Sequence, residues 1–272
     1  MKYSLCIEPV FGHLPFYDRV RAARECGADA VEFWNPFVYD PGRLAAVLER
    51  EHMQAAACGL GDNWKYRLNL PFPVLKNELE RAIAFGREIG CYTFIGLSGD
   101  RTSDSDTQMY AIIENLKRLA QICEREDVTI VLEALNSRYD HKGYFLDRAS
   151  SGFDIIKAVD SPHVKLLYDC YHMQIMEGDV VNSIRQNCGL IGHFHSAGVP
   201  GRHEPSCGEL YYPAVIKEIE ACGYEGYFGL EYWPSCEDGR SVREVLKYLR
   251  ANSGPGYSGQ NTDDEDRIRE GG

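Results

Sequence analysis

The sequence predicts a single (β/α)8 TIM barrel, an α/β fold, from three observations. Eight short apolar segments alternate with segments of helical period. The apolar segments run continuously instead of alternating with polar residues, and the fingerprints of competing open sheets are missing. Continuous apolar runs are what a parallel sheet covered on both faces requires, because neither face of its strands meets water. A dinucleotide-binding sheet would carry Gly-x-Gly-x-x-Gly after its first strand. The nearest match, Gly59-Leu60-Gly61, lacks the third glycine and opens no helix at once, and there is no P-loop. A length of 272 residues suits one barrel and does not imply two domains.

Residues 3–7 make the first strand, ended by Glu8-Pro9. Residues 15–27 follow as a helix with Phe16, Val20, Ala23 and Cys26 near one face, stopped by Gly27. The second strand is 30–34, and Asp40-Pro41 opens a helix over 41–52 as N-cap and first-turn proline. The third strand is 54–60, with a helix over 74–89 closed by Gly90. The fourth is 93–97, with a long helix near 105–126. Strands five to eight fall at 129–134, 164–169, 191–195 and 226–232, and helices between them cover roughly 150–159, 179–187 and 211–222. A last helix over 240–251 carries Val242, Val245, Leu246 and Leu249 on one face. The barrel domain is thus 1–252. Residues 253–272 are glycine-rich and then acidic, with Ile268 almost their sole aliphatic residue. They bury too little to offset their ordering entropy and are expected to be disordered.

A hydrophobic content of 44% and a charged content of 26% belong to an ordinary globule with a sizeable core. The net charge of −12 argues against a nucleic-acid partner, whose phosphates need a basic footprint. The ten cysteines are scattered with no Cys-x-x-Cys pair, and most sit in apolar patterns, which suggests a reducing, cytoplasmic setting. No apolar run approaches a membrane span, and the N-terminus breaks too soon for a signal peptide. Nothing in the pattern decides whether the chain forms a homo-oligomer.

In a barrel of this kind the working residues stand at the C-terminal ends of strands. Those ends carry Glu133, Asp169, His195 and Glu231, each about one βα unit from the next, and each of the acids follows a run that would otherwise be core. A single carboxylate there could cap a helix or pair with an arginine. Four such groups on adjacent strands need neutralising, and a divalent cation is the natural partner. Three carboxylates and an imidazole suit Mn²⁺ or Mg²⁺, with Co²⁺ feasible, and leave two positions for substrate oxygens. His193 shares the face of His195 and is read as supporting it from one pleat deeper. Glu32, slightly inside strand two, is read as structural. His172 could bind a substrate oxygen and shuttle a proton, or orient a ligand. Arg202, in a Pro-Gly-Arg loop, is expected to bind a substrate carboxylate, phosphate or hydroxyl, or else to pair with Glu204 or Glu209.

The chain resembles the hydroxypyruvate isomerase-like branch of the xylose isomerase-like TIM barrels, a superfamily of sugar isomerases and epimerases. The resemblance covers residues 3–251. Its most specific pieces are Val131-Leu-Glu-Ala-Leu-Asn136, Gly143-Tyr-Phe-Leu146, Leu167-Tyr-Asp-Cys-Tyr-His172 and Val199-Pro-Gly-Arg-His-Glu-Pro205 with Gly208-Glu209 after it. It implies metal binding by Glu133, Asp169, His195 and Glu231. Hydroxypyruvate isomerases usually carry glutamine at the strand-seven position, and His195 is instead what ketose 3-epimerases show. The loop Asp62-Asn-Trp-Lys-Tyr-Arg67 also departs from the hydroxypyruvate isomerase pattern and is expected to line the substrate pocket.

The expected chemistry is proton transfer through an enediolate on a small hydroxy-carbonyl substrate, with Glu133 and Glu231 as the acid–base pair. Return of the proton to the neighbouring carbon is isomerisation, and return to the opposite face of the same carbon is epimerisation. A lyase or dehydratase could use the same enediolate. A related endonuclease would need more metal-binding histidines and a basic groove, and a non-catalytic binding protein would not need two such carboxylates across one pocket.

Overall fold

The computed structural model describes residues 1–62 and 67–252. The eight strands close into one barrel in chain order, all neighbours parallel. They are β1 Lys2–Cys6, β2 Ala30–Phe33, β3 Gln54–Gly59, β4 Thr93–Leu97, β5 Thr129–Glu133, β6 Val164–Asp169, β7 Ile191–Ser196 and β8 Tyr227–Leu230. Closure leaves no strand edge unpaired. The helices are α1 Ile7–Val10, α2 Phe16–Cys26, α3 Pro41–Glu51, α4 Phe72–Ile89, α5 Ser105–Glu126, α6 Ala149–Val159, α7 Cys170–Met176, α8 Val180–Asn187, α9 Tyr212–Ala221 and α10 Arg240–Ala251.

The expected caps form where the sequence places them. Asp40 accepts the Arg43 amide at the start of α3, and α2 and α4 end on Gly27 and Gly90 in the left-handed conformation. The apolar face of α10 buries Val242, Val245, Leu246 and Leu249, each worth about 1.5–3 kcal/mol when removed from water. Two short helices go beyond the sequence reading. α1 begins at Ile7, which the strand over 3–7 would have included, and α7 follows directly on β6. β8 ends at Leu230, so Glu231 stands just past its strand and not within it. Its amide donates to the Ser196 carbonyl at 3.1 Å, which fixes it beside the end of β7.

Side chains alternate along a strand, so every second residue faces the barrel interior. Ala57, Ile95, Val131 and Leu167 form a small buried cluster of their own. Glu133 and Asp169 stand two residues further along β5 and β6, above that apolar floor. Among the described residues no helix is long and apolar enough to cross a membrane. The expectation for 253–272, and most of the loop 62–67, lie outside the described residues; Arg67 is described, 3.9 Å from Asp100.

Candidate active site

The four strand-end residues meet. One ligand atom from each of Glu133, Asp169, His195 and Glu231 lies within 4.8 Å of the others, and all four side chains are buried. Nδ1 of His195 faces both glutamates, 3.3 Å from Oε1 of Glu133 and 3.7 Å from Oε2 of Glu231. The imidazole fits because β8 carries Gly229 opposite it. A Cβ at Gly229 would come within 2.6 Å of His195 Cδ2 and 2.7 Å of Glu32 Oε1.

Asp169 ends β6 and caps α7. Its Oδ1 accepts the amides of Tyr171 at 2.8 Å and His172 at 3.1 Å. His172 is fully buried, and its Nδ1 accepts the Asn136 amide at 3.1 Å. A ring nitrogen that accepts has no proton, so the tautomeric proton sits on Nε2. That Nε2 lies 3.6 Å from Asp169 Oδ2 and has no hydrogen-bond partner.

Glu231 is held from two sides. Its Oε1 accepts the Trp34 indole N–H at 2.6 Å, and its Oε2 accepts the Arg202 guanidinium. Arg202 therefore pairs with neither Glu204 nor Glu209, which the sequence reading offered as its partners. Glu204 accepts from Ser235 and Ser241, and Glu209 accepts from Gln174. The Arg202 carbonyl accepts the Trp233 amide at 2.9 Å, and its guanidinium lies over the rings of Trp233 at 4.9 Å and Tyr171 at 5.4 Å.

Glu32, read from the sequence as a structural residue, proves to lie on the far edge of His195. Its Oε2 lies 2.8 Å from Nε2 of His195 and 3.0 Å from Nε2 of His193, while Oε1 accepts the Ser4 hydroxyl. His193 is thus packed behind His195 as expected, their rings edge-to-face with centroids 5.2 Å apart.

Electrostatics separates these groups. Burial pushes Asp169 up to about 7, against the opposing pull of Arg202 and His195. Burial also raises Glu133, with His195 opposing. Glu231 feels the same burial, but Arg202, His195 and the Trp34 indole together hold it below the usual carboxylate value. Burial would lower His195, yet Glu231, Glu32 and Glu133 raise it well above an ordinary imidazole. Burial, with Arg202 close by, holds His172 well below one.

Two features test whether a divalent cation suits the set. The donors are three carboxylates and one imidazole, an oxygen-rich set matched to hard or borderline ions. Two of the carboxylates are raised by burial, the sign of buried acids that lack a full countercharge. The residues fit the ion.

A cavity of about 220 Å³ opens on Glu133, His195 and Glu231, walled by Trp34, Ile95, Leu97 and Leu135. Arg202, His141 and Trp233 also line it, and a second cavity of about 770 Å³ shares these three. Trp34, Trp233 and His141 were not foreseen. For Trp34 a signal existed, since it directly follows β2 as Glu231 follows β8.

The family description "xylose isomerase-like TIM barrel" matches residues 20–252. The chain is similar to the 2-oxo-tetronate isomerase of Cupriavidus necator, 32% identical over 257 residues that cover 91% of this chain and 98% of that protein. It is similar to the hydroxypyruvate isomerase of Escherichia coli, 31% identical over 257 residues, covering 91% of this chain and 99% of that one. Among solved structures, one described as AP endonuclease, family 2, from Brucella melitensis superposes with a TM-score of 0.83 at 28% identity, covering 91% of this chain and 98% of that one.

Proposed function

We propose that this chain, which belongs to the xylose isomerase-like TIM barrel family, is a divalent-metal-dependent isomerase or epimerase of small hydroxy-carbonyl compounds. The observation that carries the reading is the convergence of Glu133, Asp169, His195 and Glu231 within 4.8 Å of one another, with Glu133, His195 and Glu231 lining one small cavity. The names of its relatives support a three- or four-carbon keto acid as substrate, and a ketose is the alternative.

Glu133, Asp169, His195 and Glu231 would hold the cation, Mn²⁺ in the first instance with Mg²⁺ or Co²⁺ as alternatives. When bound, it supplies Lewis acidity and a fixed template for two neighbouring substrate oxygens. Glu133 and Glu231 face the cavity as the acid–base pair. One takes the proton from the carbon beside the carbonyl; the other, or the first again, returns it to that carbon or its neighbour. Nε2–H of His172 faces Asp169 Oδ2 at 3.6 Å and lines neither of the two cavities, which supports the role of orienting that ligand over binding a substrate oxygen. Arg202 opposes the charge that develops on the substrate and can bind its carboxylate. The walls formed by Trp34, Ile95, Leu97 and Leu135 exclude water from the reacting carbon.

The name of the Brucella structure raises a nucleic-acid substrate. A net charge of −12 and a cavity of about 220 Å³ support a small molecule instead. Proton NMR in D2O tests the reading, comparing metal-stripped and Mn²⁺-restored protein with hydroxypyruvate, a four-carbon keto-acid sugar and D-fructose. Mn²⁺-dependent deuterium incorporation beside a carbonyl is expected, and the exchanged position separates isomerase from epimerase. Elimination of water without such exchange would replace the reading with a lyase. Failure to bind Mn²⁺ would overturn the metal site.

A further inference from the structure

Below the four strand-end residues lies a second polar layer with no evident access to substrate. Glu32, His193 and Ser4 are all buried among apolar residues, where an unpaired carboxylate is costly. The register of β2 against β3 shifts between Val31 and Glu32, the kind of irregularity that re-aims a side chain. Here it accompanies a carboxylate directed at the far side of the barrel: Glu32 is 163 residues from His195 and 2.8 Å from its Nε2.

An ionised carboxylate only accepts hydrogen bonds. Glu32 takes the Ser4 hydroxyl on Oε1, so that oxygen is engaged, and Oε2 meets Nε2 of His195. Nε2 must therefore carry a proton. The lone pair of a neutral ring is then left on Nδ1, the nitrogen that faces Glu133 and Glu231. The ring is also braced. His193 stands edge-to-face against it, and the absent side chain at Gly229 provides the slot it occupies.

We infer that Glu32 is a positioning residue, which sets the tautomer and orientation of His195 so that Nδ1 is presented to the cation site. The inference rests on the proposed reading of His195 as a ligand. Partners of this kind behind a ligating histidine typically change metal affinity ~10–100-fold when removed.

The experiment uses full-length protein carrying Glu32→Gln, which keeps the shape and removes the acceptor-only carboxylate. Two quantities are read. In metal-free protein with ¹⁵N-labelled imidazoles, the Nε2–H of His195, assigned with a His195→Gln variant, gives a downfield, slowly exchanging proton that Glu32→Gln shifts or abolishes. In a Mn²⁺ titration followed by electron paramagnetic resonance, the Kd of Glu32→Gln rises ~10–100-fold. Should that variant fail to fold, Glu32→Asp keeps a carboxylate in the layer but withdraws it from Nε2, and the same weakening is expected. Wild-type Mn²⁺ affinity within twofold in a folded variant overturns the positioning role and leaves the metal site standing. No Mn²⁺ binding by the wild-type protein takes down the metal site and the inference with it.

Discussion

Glu133 and Glu231 flank one imidazole nitrogen, at 3.3 and 3.7 Å, yet the barrel holds them in unlike ways. Glu231 has a donor on each oxygen, Trp34 on one and Arg202 on the other, and is kept ionised. Glu133 meets His195 at 3.3 Å and is raised by burial. Both are carboxylates at the ends of apolar strands, so residue type does not separate them; the neighbours do. Such a split between paired acids is how one site supplies both a base and a group able to hold a proton at the same pH.

The largest expected effect comes from removing either acid. Glu133→Gln and Glu231→Gln each lower kcat by about 1,000-fold, measured with metal-restored enzyme on whichever substrate shows exchange. Full activity in both would end the acid–base assignment. Next is Arg202→Met, which removes the cation that helps keep Glu231 ionised and also contacts the cavity. A charged hydrogen bond is worth about 2 kcal/mol, so kcat/KM falls about 30-fold, and the acidic limb of the pH–rate profile moves upward. Trp34→Phe removes a single neutral donor from Glu231. It should cost about 1 kcal/mol, or about fivefold in kcat/KM, with a smaller movement of the same limb. An unmoved limb in both variants would show that these donors do not set the contrast.

The mildest probe is pH without metal. Asp169 and Glu8 are each raised by burial to about 7, so the folded state keeps their protons longer than the unfolded chain. Their stabilisation is complete below the unfolded values and lost as pH rises through 7. Depressed His172 and His141 act oppositely, but only below their ordinary value of 6.5. Metal-free protein should therefore melt a few degrees lower at about pH 8 than at about pH 6.5, and Mn²⁺ should recover more of the loss at the higher pH.

The barrel and its four strand-end donors were legible because both follow from local pattern. Apolar runs mark strands, and an acid closing such a run stands out. What surrounds the donors was not legible, because those contacts join distant segments. Arg202 was expected to bind a substrate group or else to pair with Glu204 or Glu209, its neighbours in sequence, whereas its partner Glu231 arrives 29 residues later, just past β8. Trp34 and Glu231 are 197 residues apart. Glu32 resembled an ordinary strand residue because the register slip beside it arises only when β2 pairs with β3.

Gly229 carries a different kind of lesson. The room occupied by His195 is a missing methyl group on the neighbouring strand, and a Cβ there would lie 2.6 Å from the ring. The proposed metal site thus depends on a residue that offers no functional group of its own. In evolutionary terms, a glycine-to-alanine change at this one codon would press at once on His195, on Glu32 and on the Phe194 carbonyl of β7. A homologue with all four donors intact but a larger residue at this position would be a poor candidate for the same chemistry, and a survey of donors alone would count it as active.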